Sequence, residues 1–352
     1  MITHEKPLEE LVAKLSSSDR IAIDTEADSL HCYFEKVCLI QISADDIHVL
    51  VDPLAGLNLQ PLYDVVSSKR LIFHGADYDL RLLRRTGNFE PSNLFDTMIA
   101  ARLIGKPGLG LAALVKEYFG VELSKASQKA NWAIRPLPAE MMEYALNDTR
   151  YLLEIADTLE ADLHRIGRWE WFTEARDRMI ASAREVKERD DNAVWRITGS
   201  SALPPRAQAV LRILWFWRDT EARAWDRPAF HVIGNEDMLR AAQQVASGAP
   251  YSTPRMNGRR RKSFELVSAL AMQIPESEWP TIEKIRRKRA SREQLQRFEE
   301  LKKIRDRVAA ELGLDPSIIA PRAALDATAA EISSTALMNW QRQLLGLPAQ
   351  AA

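Results

Sequence analysis

Three short stretches, far apart along the chain, carry side chains from which a hydrolytic metal site can be built. In RIAIDTEA, Asp24 and Glu26 alternate with Thr25, and on a strand residues two apart point to one face. Two carboxylates side by side at the end of a hydrophobic strand repel one another unless a cation sits between them. An all-oxygen donor set suits Mg²⁺ or Mn²⁺. A lone Asp-x-Glu pair is equally at home on a solvated strand end, so this pair alone does not decide.

The second stretch, FHGADYDLRLL, supplies Asp77 and Asp79 at the start of a predicted helix. Asp77 lies four residues before Arg81 and can be a first-turn acid favoured by the helix dipole. Asp79 faces differently and can reach back over the sheet. His74 can contact substrate, or simply be a satisfied histidine at a strand end. In the third stretch, MEYALNDTRYLLEI, Tyr144 and Asp148 are four positions apart, one turn along a single helical face. The carboxylate can then ligate an ion while the phenol hydroxyl reaches the water activated beside it. In the bland arrangement Tyr144 packs on Leu153 or Ile155, and Asp148 pairs with Arg150 or a lysine.

The elements that must position these groups can be read in order. Residues 20–27, 37–43 and 46–52 are rich in Ile and Val and separated by polar stretches, which predicts three strands; such close succession favours antiparallel neighbours. A short helix around 59–67 leads to a fourth strand in KRLIFHG. An amphipathic helix follows in ADYDLRLLRRTG, ending at Gly87. NLFDT reads as a fifth strand, with Asp96 placed to cap the next helix. GLAALVKEYFG and the long stretch from Ala139 to about Ile166, announced by Pro136 and Pro138, are predicted helical. The sum is an α/β fold, a mixed five-stranded sheet of ribonuclease H type with flanking helices.

A chain of 352 residues has room for two or three domains at ~150 residues each. The polar, turn-rich EVKERDDNAVWRITGSSALPPR marks a boundary beyond which everything reads as helices, giving expected domains of 1–190, 191–280 and 281–352. The net charge of −1 conceals −8 over residues 1–190 and +7 over residues 191–352. That polarity either sets a carboxylate site beside a surface that attracts a polyanion, or merely balances solubility. The densest positive runs are Arg259, Arg260, Arg261, Lys262 and Arg286, Arg287, Lys288, Arg289; each is a phosphate contact or a solvated linker face. Trp132 and Phe34 can stack on terminal bases or pack a core. Residues 217–242 can be laid on 304–329 as a weak internal repeat, although amphipathic helices resemble one another easily. Cys32 and Cys38 lack a CxxC or Cys/His cluster, which excludes a disulfide framework and a zinc site and leaves buried, inert thiols. No apolar run approaches the ~20 residues of a membrane span, and MITHEKPLEE lacks the layout of a signal peptide; the expectation is a cytoplasmic protein with no membrane contact.

Taken in order, DTE, then HxxxxD after the fourth strand, then YxxxD on a late helix resemble the three exonuclease motifs of the DEDD family in its tyrosine-bearing branch. LIQIS, FDTMIAARL, GLAALVKEYFGVEL and NWAIRPLPAEMMEYALND look like ribonuclease D over about residues 15 to 165. The WxxRPL-to-YxxxD stretch is the most specific part. Asn131 departs from the pattern, since relatives often carry an acid there; local hydrogen bonding is expected to change more than catalysis. VWRITGSSAL with ILWFWRDTEARAWDRP resembles the helicase-and-RNase-D C-terminal (HRDC) domain, and LKKIRDRVAAELGLDPSIIAPRAAL looks like a diverged second copy.

The resemblance implies a 3′→5′ exoribonuclease that hydrolyses RNA phosphodiester bonds by a two-metal-ion mechanism and releases nucleoside 5′-monophosphates from single-stranded 3′ ends, precursor transfer RNA being the suggested substrate. It implies that Asp24, Glu26, Asp79 and Asp148 hold two divalent ions, Mg²⁺ or Mn²⁺, with Asp24 bridging both, and that Tyr144 orients the attacking water. A 3′→5′ DNA exonuclease of the same superfamily is the first competing reading, because recognition of a 2′-hydroxyl lies in a few local contacts. A non-catalytic RNA-binding scaffold is the second; its expected mark, a lost carboxylate, is missing here, since all four acids and the tyrosine are present.

Overall fold

The computed structural model describes residues 1–185, 188–251, 256–280, 290–332 and 336–350. The chain divides into two compact units: Met1–Ala27 with Val37–Glu185 and Lys288–Ala352, and Asp28–Lys36 with Val186–Arg287.

In the first unit α1 (Glu5–Leu15) precedes β1 (Arg20–Ala27), β2 (Val37–Ala44) and β3 (Ile47–Val51). Then follow α2 (Gln60–Ser67), β4 (Arg70–Phe73), α3 (Asp77–Arg84), β5 (Asn93–Asp96), α4 (Thr97–Ile104), α5 (Leu111–Phe119), α6 (Ala139–Arg150), α7 (Leu152–Arg165) and α8 (Trp169–Arg184). The sheet order is β3-β2-β1-β4-β5, antiparallel across β1–β2 and β2–β3 and parallel across β1–β4 and β4–β5. This is the mixed five-stranded sheet that the sequence predicts. Alternation along the strands feeds two cores. Ile21, Ile23, Ile40, Ile42, Leu71, Phe73 and Leu94 face one core, with Leu8, Leu11 and Leu15 of α1. Ala22, Ile72 and Phe95 face the other, beneath α4 and α7, while Leu39 and Leu50 pack under Met141 and Ala145 of α6. Every residue of β2 is buried.

Three local features differ from expectation. Helix α1 carries Leu8, Leu11 and Leu15 on one buried stripe and was not anticipated among the charged residues around it. Helix α3 stops at Arg84, and Gly87 is not its left-handed cap. A Cβ at Gly87 would stand 2.8 Å from the Tyr63 ring, so close packing requires that glycine. The predicted long helix is interrupted at Tyr151, leaving α6 and α7. Helix α6 lies on β2 and β3, whereas α7 packs on α4, β1 and β4, so tertiary packing rather than a Gly or Pro sets the break.

The second unit holds α9 (Pro205–Trp225), α10 (Ala229–Val232), α11 (Asn235–Ala246) and α12 (Gly258–Met272) around a core centred on Trp195, Leu211, Leu214, Met238 and Phe264. In the last segment of the first unit lie α13 (Arg292–Leu312), α14 (Pro316–Ile319), α15 (Arg322–Ala329) and α16 (Asn339–Leu344). They are joined to the sheet-bearing part by the Arg168 guanidinium, which donates to Leu103 O at 2.6 Å and Leu312 O at 3.0 Å, and by Trp171 stacked on Trp340 at 4.6 Å. The weak repeat has a structural counterpart. Arg218 donates to Ile233 O at 3.3 Å and Arg305 to Ala320 O at 3.2 Å, and Asp226 and Gly313, at equivalent positions, both adopt positive φ. Among the described residues no strand follows β5, and no helix is long and apolar enough to cross a membrane.

Candidate active site

Because β1 and β4 run parallel, their carboxyl ends lie at the same edge of the sheet, the usual place for ligands in α/β folds. β1 presents Asp24 and Glu26 there, and β4 leads through Gly75 into α3, whose first turn carries Asp77 and Asp79. The turn needs its glycine: Gly75 has φ +84°, and a Cβ would meet Met98 Cε at 3.2 Å. Asp96, at the end of β5, fixes the same edge by accepting from the backbone N–H groups of Met98, Ile99, Gly75 and Ala76 at 2.8–3.2 Å. It caps α4, as its position in the sequence predicts.

Helix α6 brings the third stretch over this edge. It is held on the sheet by Ser43 and Thr149, whose hydroxyls lie 2.7 Å apart. Oxygens of Asp24, Glu26 and Asp148 then lie within 4.8 Å of one another. Asp79 is buried, and its carboxylate accepts the Thr25 hydroxyl at 2.5 Å. Tyr144, one turn before Asp148, lies 6.0 Å from the Trp132 ring. A cleft of about 330 Å³ beside Tyr144 and Asp148 is lined also by Ser124, Ser127, Glu143 and Asn147.

Electrostatically the four acids are crowded. Burial, followed by the charges of Asp79, Asp148 and Glu26, holds the Asp24 carboxyl well above the usual range. Burial and then Asp148 and Asp79 push Glu26 up to about 9. Burial lifts Asp148 and Asp79 to about 7, the Thr25 hydroxyl restraining Asp79. The Tyr144 phenol is also raised, first by burial and then by Asp148, Glu26 and Asp24. Acids placed so that they cannot all ionise together need compensating positive charge. Oxygen donors this close fit a hard divalent cation, whose charge would offset both the penalty of burying the carboxylates and their repulsion.

The other candidates fall elsewhere. Asp77 forms a two-point ion pair with Arg81, four residues on, at 2.9 and 3.1 Å. His74 pairs with the Thr97 hydroxyl at 2.8 Å, and burial lowers its imidazole pKa. Trp132 is buried in the core under α6 and offers no stacking face, whereas Phe34, in the second unit, is 54% exposed. The Asn131 side-chain oxygen Oδ1 accepts from Ala133 N at 3.1 Å, two residues on. Cys32 and Cys38 are buried, and burial pushes the Cys32 thiol up to about 12. The run 259–262 is not one phosphate-facing strip. Arg260 is buried, reaches Glu221 at 3.4 Å and covers the Trp225 ring, while Arg259 pairs with the same Glu221 at 2.9 Å; Arg261 and Lys262 are exposed. The run 286–289 lies outside the described residues.

Sequence reasoning missed two supports. Thr25 was read only as a spacer. Arg135, inside the WxxRPL stretch, grips buried Asp52 at 2.6 and 2.7 Å and the carbonyls of Trp132, Ile134 and Cys38 at 2.7–2.8 Å. It thereby fixes the approach to α6 against the sheet. The available signal was a lone Asp at a strand end and a lone Arg before a proline; one needs the fold to pair them.

Comparison with known proteins agrees with this geometry. A family model described as 3′-5′ exonuclease matches residues 1–164. The chain is 31% identical to ribonuclease D of Bartonella henselae, over 78% of this chain and 69% of that protein. It is 30% identical to ribonuclease D of Xanthomonas oryzae pv. oryzae, over 98% of this chain and 95% of that one. The crystal structure of Escherichia coli RNase D shares the fold, with a TM-score of 0.73 and 24% identity, covering 99% of both chains. With a relative this similar along nearly its whole length, and an acidic cluster at the sheet edge, the chain belongs to the ribonuclease D family of 3′-5′ exoribonucleases.

Proposed function

We propose that the protein acts in the cytoplasm on single-stranded RNA 3′ ends, precursor transfer RNA among them, using two divalent ions held by Asp24, Glu26, Asp79 and Asp148. The observation that supports this reading is the convergence of oxygens from Asp24, Glu26 and Asp148 within 4.8 Å, on elements more than a hundred residues apart in sequence. Bound Mg²⁺ or Mn²⁺ would supply the charge that eases loss of a proton from water and steadies the leaving 3′-oxygen. The protein's part is positional. Asp24 and Glu26 are fixed by the β1 ladder, Asp79 by Thr25, and Asp148 by α6. With its phenol pKa raised, Tyr144 stays neutral, so it orients the attacking water through its hydroxyl and is not a base. The cleft beside Tyr144 and Asp148 has the place and polarity to hold the terminal nucleotide. Candidate HRDC domains at 191–280 and 281–352 would add weakly sequence-specific contacts to the RNA backbone.

The test is degradation of matched 5′-labelled RNA and DNA oligonucleotides bearing free 3′-hydroxyls, with and without chelator. The reading expects a metal-dependent ladder shortening from the 3′ end of RNA, with nucleoside 5′-monophosphates as products. Preferential digestion of DNA would replace it with the DNA exonuclease alternative.

A further inference from the structure

The LIQIS stretch contains a residue that no role described so far uses. Gln41 lies in the middle of β2 and is fully buried. Neither its amide nitrogen nor its amide oxygen has a hydrogen-bond partner. Buried carboxamides are ordinarily satisfied, because a desolvated donor or acceptor without a partner is costly. A leucine here would remove that cost, so the polarity needs a reason.

Register supplies one. Gln41 is the ladder partner of Asp24 across the antiparallel β1–β2 pair, so both side chains leave the same face with Cβ atoms about 5 Å apart. That face is covered by α6: Ser43, two residues along, meets Thr149 of α6. The other neighbours of Gln41 on the face are committed, apolar or, like Glu26, only diagonal to it. Ser43 is held by Thr149 and His48, and Leu39 and Leu50 are apolar. Asp24, by contrast, is surrounded by Asp79, Asp148 and Glu26, and its carboxyl has the Thr25 backbone as a donor but further oxygen lone pairs to satisfy. The terminal torsions of Gln and Asp are soft, and the ladder pairing sets the two side chains next to each other.

We propose that Gln41 is a positioning residue, whose amide nitrogen donates to the Asp24 carboxylate and holds it in the orientation that binds divalent metal. It touches neither metal nor substrate; it acts through Asp24. The inference rests on the metal reading given above. Partners behind metal ligands typically change metal affinity or activity by about 10–100-fold when removed.

The test is Mn²⁺ binding to the full chain without RNA, followed by electron paramagnetic resonance, in the unaltered protein and in Gln41→Leu, with thermal unfolding of both in chelator. The inference expects Gln41→Leu to keep or raise the metal-free melting temperature, to weaken Mn²⁺ binding by roughly tenfold or more, and to shift the metal concentration for half-maximal RNA hydrolysis equally, with KM for RNA unchanged. Should Gln41→Leu not fold, Gln41→Asn, which withdraws the amide by one methylene, carries the same comparison. Mn²⁺ affinity equal to that of the unaltered chain in a folded variant overturns the role of Gln41 alone. Failure of the unaltered chain to bind Mn²⁺ at all overturns the metal reading and this inference together.

Discussion

The hydroxyl of Thr25 donates to a carboxylate oxygen of Asp79 over 2.5 Å, across 54 residues of chain. The central residue of the DTE stretch thus points away from its two acidic neighbours and ties the second stretch to the first. Thr25→Val keeps the shape and removes that donor, leaving the buried Asp79 carboxyl with its backbone donors from Asp79 and Thr25 alone; the expected cost is about 1–3 kcal/mol in urea unfolding, together with lower nuclease activity. Thr25→Ser should restore both. Equal unfolding midpoints for the Val and Thr proteins would show that the bond contributes nothing.

Replacing Asp24 or Asp148 by Asn removes an acid from a cluster in which burial and the neighbouring carboxylates hold Asp24 above its usual pKa and burial lifts Asp148. Activity on RNA should fall by more than the roughly 100-fold expected for groups behind the ligands. Metal-free stability should stay level or rise, because a repulsive charge has gone. Circular dichroism and thermal unfolding beside the rate measurement separate this outcome from simple unfolding. A variant at least half as active as the unaltered chain removes that residue from the site.

The same crowding makes a pH prediction. In the folded, metal-free chain Asp79 and Asp148 lie at about 7 and Glu26 at about 9, above the 3.8 and 4.5 of unperturbed groups. The folded state therefore binds more protons than the unfolded state between roughly pH 4 and 9, so this contribution to stability is full below the ordinary values and lost as pH rises through the raised ones. In chelator, the melting temperature of the unaltered chain relative to Glu26→Gln should fall from pH 6 to pH 9, and the gain on adding Mn²⁺ should grow over the same range. A metal-induced gain that shrinks with rising pH would contradict the assignment.

Within the basic run of α12 the arginines should behave differently from one another. Arg260 is buried against Glu221 and Trp225, so Arg260→Ala should cost about 1–3 kcal/mol of stability through lost packing and a lost bond to Glu221, which keeps Arg259 as its partner. Arg261 and Lys262 are exposed; their joint neutralisation should leave stability alone and, where they meet phosphate, flatten the dependence of RNA affinity on salt. Affinity measured from 50 to 200 mM salt decides, and an unchanged slope assigns these two side chains to solvent.

Strands, sheet class and the three acidic stretches could be read from sequence because each is a local pattern: Ile and Val runs between turns, Asp-x-Glu on a strand, Tyr and Asp one turn apart on a helix. What escaped depends on distant residues meeting. The grip of Arg135 on Asp52 spans 83 residues, and the break at Tyr151 follows from two helices packing on different surfaces. Gln41 looked like one more residue of a hydrophobic strand until its register against Asp24 was known. Phe34 belongs by contact to the second unit although it lies between β1 and β2, which no linear pattern announces.

The central claim is that four acidic side chains hold a pair of divalent cations at the carboxyl ends of β1 and β4. Anomalous diffraction from crystals soaked in Mn²⁺ tests it most directly. The account predicts two anomalous peaks within coordinating distance of Asp24, Glu26, Asp79 and Asp148, both lost in Asp24→Asn crystals. Peaks elsewhere, or none at these residues in the unaltered protein at saturating Mn²⁺, would contradict it.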